Sequence, residues 1–91
     1  MSDKKLNNLA QAITTLDNPK DVQNFLYDLC TPQELSAMAE RWEIAQLLNA
    51  KELSYRAIAE KTGASTATIT RVGRFLNQER HHGYKIAISR L

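Results

Sequence analysis

The chain of 91 residues has a single cysteine, Cys30, so it cannot close an intrachain disulfide. Cys30 lies among apolar residues and is expected to be a small core side chain rather than a redox or nucleophilic group. No apolar run approaches the length of a membrane span. The N-terminal stretch MSDKKLNNLAQ has neither an apolar core nor a small-residue cleavage site, which points to the cytoplasm. Internal repeats and low-complexity linkers are absent. So are the constellations of catalysis: there is no nucleophile–base arrangement, no glycine-rich phosphate loop and no metal-ligand spacing. His81 and His82 are adjacent in a polar connector, Asn77–Gly83, so one side of a helix cannot offer both to a metal ion. Neither an enzyme nor a bound cofactor is expected. Net charge is also scarce, at +2.

What is present is the composition of an ordinary soluble protein, 43 % hydrophobic and 24 % charged. The length suits one domain over 1–91, and so small a domain buries only about two-thirds of its unfolded surface, which favours association. The charge is unevenly placed. Residues 1–50 carry four Lys/Arg against seven Asp/Glu, whereas residues 51–91 carry eight against three. The basic half is the one suited to phosphates.

Apolar periodicity predicts helices throughout. Leu6, Leu9, Ala10, Ile13 and Leu16 recur at steps of three and four, which predicts a helix over 4–16. Asp17-Asn18-Pro19 stops it. Asn18 as cap and Pro19 as first residue open a second helix with the stripe Val22, Phe25, Leu26 and Leu29, ending near Cys30. Thr31-Pro32-Gln33-Glu34 forms a capping box for a third helix, whose stripe is Leu35, Met38, Trp42, Ala45 and Leu48. That helix should end near Asn49, with Trp42 as a core anchor. At the C-terminus, Tyr84, Ile88 and Leu91 have helical spacing, while Tyr84, Ile86 and Ile88 have strand spacing. A helix is expected, because no other segment offers a strand to pair with.

The segment Ser54–Leu76 carries the functional signal. Ile58 and Ala59 end the apolar face of one short helix, Gly63 stands where the chain must take a positive φ, and Ile69, Val72 and Leu76 continue the face of the next. Ser65 is a natural N-cap for that second helix. Its remaining face holds Thr66, Ala67, Thr68, Thr70, Arg71 and Arg74. These side chains are short enough to let a helix enter a major groove, with guanidinium groups for phosphates or guanine edges. The pattern reads as a helix-turn-helix over about 54–76, the alternative being an αα-hairpin with a polar surface.

TPQE at Thr31–Glu34, Arg41 inside the third helix, SxR at Ser54–Arg56 and GA-x-x-ATITR at Gly63–Arg71 together resemble the Trp repressor superfamily, in particular its small bacterial YerC/YecD branch. The similarity is good over Leu29–Leu76 and extends to the flanks by helix order. It implies an all-α protomer of about six helices, with the N-terminal helices, residues 4–30, intertwined with those of a second copy. A homodimer would set two recognition helices about one turn of DNA apart on a palindromic site. The family's DNA-facing positions fall on Arg56, Ser65, Thr66, Ala67, Thr68 and Thr70. Arg56 is then the candidate for a guanine, Thr66 and Ala67 for thymine methyls or water-mediated contacts, and Thr68, Thr70 and Arg74 for phosphates.

In the tryptophan-sensing members an indole lies between two arginines, and those positions correspond to Arg41 and Arg71. These are the candidate effector-binding residues. The surrounding pocket differs: Val72 replaces a glycine, Phe75 a serine, and Asp28 and Cys30 two leucines. Each change either fills the cavity or alters its polarity, so tryptophan sensing is not expected, although Asp28 offers a charge that could hold the amino group of an amino-acid corepressor. Arg41 is instead expected to pair with Glu40, Glu43 or a neighbouring helix. The resulting expectation is a sequence-specific transcriptional regulator, acting as a repressor on double-stranded DNA. The alternative is a helical protein-interaction module whose 69–76 face docks a partner helix.

Overall fold

The computed structural model describes residues 3–78 and 80–91. These form six α-helices and no strand: α1 (Asp3–Thr14), α2 (Pro19–Leu29), α3 (Pro32–Ala50), α4 (Tyr55–Thr62), α5 (Thr66–Asn77) and α6 (Gly83–Ser89). None of these helices is long and apolar enough to cross a membrane. The chain divides into two compact units, one running to Leu35 and the other from Ser36 to Leu91.

In the first unit, α1 stops two residues short of the expected end. The Thr14 and Thr15 hydroxyls donate to the carbonyls of Gln11 and Ala12 at 2.8 and 2.7 Å, turning the last carbonyls toward side chains instead of further helix. The Asn18 side chain accepts from the Asp21 N–H at 2.9 Å, and Pro19 opens α2 as the sequence predicts. The Thr31 capping box closes in both directions. The Glu34 N–H donates to the Thr31 hydroxyl at 3.1 Å, and the Thr31 N–H donates to the Glu34 carboxylate at 2.8 Å. The hydrogen bonds from the Thr31 backbone and hydroxyl hold the Glu34 carboxyl below the usual carboxylate range. Cys30 departs from expectation. It is half-buried rather than a core residue, because it is the cap at which the chain leaves α2 in an extended conformation. Neither α1 nor α2 contains a buried residue, and Leu6, Tyr27 and Leu29 are at least half exposed.

The second unit holds the core. Ile44 and Ala45 of α3, Ile58 of α4, Ala64 of the turn, and Ile69 and Val72 of α5 form one buried cluster, with Leu76 also buried. Trp42 packs against this cluster, as does Tyr84. Their rings stack at 6.5 Å between centroids, tying α6 to α3. Lys85 adds a hydrogen bond to Asn49 at 3.3 Å. Gly83, the last residue of the expected connector, is the first residue of α6; the break falls at His82, which takes the left-handed conformation with φ 58°. Within the expected connector 77–83, residue 79 lies outside the described residues.

Candidate nucleic-acid interface

The helix-turn-helix forms as the spacing requires. Gly63 has φ 75° and its N–H donates to the Ala59 carbonyl at 2.9 Å, ending α4 in a left-handed cap that an L side chain would strain. Thr62 reinforces the turn: its hydroxyl donates to Ile58 at 2.8 Å and accepts from the Ala64 N–H at 3.2 Å. Ser65 then caps α5, accepting from the Thr68 N–H at 3.1 Å, while the Ser65 and Thr68 hydroxyls share a 3.0 Å hydrogen bond.

Helical geometry decides which α5 residues face outward. Ile69, Val72, Gly73 and Leu76 are buried on one side. At about 100° per residue, Ala67, Thr70, Arg71 and Arg74 lie on the opposite side, and all of them are exposed. Thr66 is exposed in the first turn. Thr68 is half-buried at the edge, and its hydroxyl is already engaged by Ser65. The structure thus brings six of the eight expected DNA-facing residues onto the outer surface of α5 and its cap, leaving Thr68 at the margin. The eighth, Arg56, stands on α4. It is 90 % exposed and forms an ion pair with Glu60 at 3.6 Å, one helical turn along.

Two features escaped sequence reasoning. A Cβ on Gly73 would lie 2.6 Å from the Tyr55 hydroxyl and 3.7 Å from Leu48, so this glycine allows close approach between α5 and the start of α4. Its place on the apolar face, in register with Ile69 and Leu76, was the available signal. The other is Phe75, whose ring lies beneath two guanidinium groups, those of Arg71 at 4.7 Å and Arg74 at 5.2 Å from its centroid. The four-residue spacing from Arg71 to Phe75 could have shown it.

Arg41 and Arg71 are brought together. Both line a cavity of about 330 Å³ with Val72, Phe75, Tyr84 and the His81–Gly83 turn. The expected pairing of Arg41 with Glu40 or Glu43 is not formed among the described residues, whereas Arg56 pairs with Glu60. The reason is helical: residues one or two positions away do not face one another. The cavity's described lining contains four basic or titratable nitrogen side chains and no carboxylate.

A model of the family described as Trp repressor protein matches residues 4–91. The chain belongs to the Trp repressor family. The uncharacterized protein YerC of Bacillus subtilis (strain 168) is 39 % identical to it over 88 residues, which is 97 % of this chain and 83 % of that protein. Among solved structures, a TrpR-like protein from Eubacterium eligens ATCC 27750 matches with a TM-score of 0.87 at 39 % identity, covering 98 % of this chain and 90 % of that one. A candidate Trp repressor from Staphylococcus aureus matches with a TM-score of 0.87 at 34 % identity, covering 98 % and 87 %. The Trp repressor family is one of regulators rather than enzymes. The resemblance carried by TPQE, SxR and ATITR in the sequence therefore holds over nearly the whole chain.

Proposed function

We propose that this member of the Trp repressor family is a sequence-specific DNA-binding transcriptional regulator, a repressor that acts as a homodimer. The observation that carries the reading is the outer face of α5. Opposite a fully apolar buried side it offers Ala67, Thr70, Arg71 and Arg74, all exposed, with Thr66 and the Ser65 cap at its N-terminal end. Small side chains permit groove entry, and the arginines supply positive charge where the chain as a whole has little. Arg56 is the proposed guanine-reading residue. Its pairing with Glu60 is solvent-exposed and therefore weak enough to be exchanged for DNA. Arg74, Thr68 and Thr70 hold phosphates. The half-exposed apolar residues of α1 and α2 support the homodimer, because helices without a buried residue gain stability when a second copy covers them.

Tryptophan sensing is no part of this reading: the cavity beside Arg41 and Arg71 is bordered by Val72 and Phe75, where the tryptophan-sensing members have a glycine and a serine. Fluorescence anisotropy on specific and random duplexes tests the assignments. Arg56→Ala is expected to weaken the specific complex by about 1–3 kcal/mol and relax base preference. Arg74→Ala should weaken both duplexes alike and flatten the salt dependence. Equal losses on both duplexes for both variants would remove Arg56 from base reading. Affinity that vanishes by physiological salt with no preferred site would favour the helical interaction module.

A further inference from the structure

Phe75 occupies a border position on α5. It is half-buried, lines the cavity beside Tyr84 and Arg41, and carries the guanidinium groups of both Arg71 and Arg74 on its ring. Arg71 is one helical turn before it, where side chains naturally meet. Arg74 is its immediate neighbour, and its guanidinium also lies over the ring, 5.2 Å from the centroid. The negative face of an aromatic ring attracts a guanidinium, and the flat guanidinium stacks on it while its N–H groups stay directed outward. Long side chains that would otherwise sample many rotamers are held over the exposed face of α5.

We propose that Phe75 is a positioning residue for DNA binding: its ring presents Arg71 and Arg74 as a pre-formed phosphate clamp on the recognition helix. The inference rests on the DNA-binding reading above. It assigns to this half-buried aromatic a role in affinity but none in base choice, because phosphate contacts carry no sequence information.

The test compares Phe75→Leu, which keeps apolar bulk but removes the ring, with Phe75→Tyr, which keeps the ring. Binding to a selected duplex and a random duplex is measured across a salt series, with thermal melting to verify folding. Phe75→Leu is expected to lose about three- to tenfold affinity on both duplexes, which corresponds to one or two exposed cation–π contacts. Its log–log salt slope should be shallower by up to about one phosphate's contribution. Phe75→Tyr should retain wild-type behaviour. In an Arg71→Ala/Arg74→Ala background, Phe75→Leu should have no further effect. A loss of equal size in that background, or an unchanged salt slope, would overturn the proposal. The stack is read separately by NMR of the free protein, as upfield ring-current shifts of the Arg71 and Arg74 side-chain protons that disappear in Phe75→Leu. Shifted protons in a protein that binds neither duplex would indict the DNA-binding reading and the clamp with it. Unshifted protons in a protein that binds DNA would overturn the clamp alone.

Discussion

At the scale of single residues, the proposed DNA interface combines small side chains with a few charges. Arg56 is tied to Glu60 by an exposed ion pair, which lowers the positive potential that a DNA backbone would meet. Glu60→Gln is therefore expected to raise duplex affinity at low salt, with the gain shrinking as salt rises; a binding titration at two ionic strengths checks this. Gly73 makes a finer case. Alanine there would gain up to about 1 kcal/mol of helix propensity, but its Cβ would displace the Tyr55 hydroxyl, only 2.6 Å away. With Tyr55→Phe the nearest ring atom is at ordinary contact distance, 3.6 Å. Gly73→Ala should accordingly stabilise the Tyr55→Phe protein more than the wild type, as read from urea unfolding midpoints. Equal effects in both backgrounds would mean that Tyr55 does not define the gap.

At the scale of elements, the caps decide where helices start and stop. The Thr31–Glu34 box makes both of its hydrogen bonds, and Thr31→Ala is expected to cost about 1 kcal/mol. It also carries a pH signature. Because Glu34 is held below the usual carboxylate range, its contribution is fully present above the unfolded value and is lost as pH falls through the lowered folded one. Stability should decline over that acidic window in the wild type and less steeply in Glu34→Gln, as measured by unfolding at a series of pH values. These elements were legible because local chemistry wrote them: Asn18-Pro19, Thr31-Pro32 and Gly63-Ala64-Ser65 each supply a cap through neighbouring residues. The end of α1 was not legible, since Leu16 continues the apolar stripe while the Thr14 and Thr15 hydroxyls divert the preceding carbonyls. Nor was the fate of Arg41. Its sequence neighbours Glu40 and Glu43 suggested a pair, but only packing of α3, α5 and the 81–84 segment gathers Arg41, Arg71 and Phe75 around one cavity.

At the scale of the whole molecule, two kinds of surface divide the work proposed for it. The first unit keeps Leu6, Tyr27 and Leu29 exposed, and the second presents a basic, small-residue face built on a buried apolar one. Placing a charge in the first, as Leu6→Glu or Leu29→Glu, is expected to shift the protein from dimer toward monomer in sedimentation equilibrium. Family membership extends this reading to the whole chain, because the match runs over residues 4–91 and includes both surfaces. The central claim, a dimer that reads a specific DNA sequence, is tested most directly by selecting bound duplexes from a random pool at physiological salt, where non-specific attraction is weak. Recovery of a palindrome with half-sites about one helical turn apart, with or without added tryptophan, is the expected result. Recovery of no common sequence under either condition would contradict it.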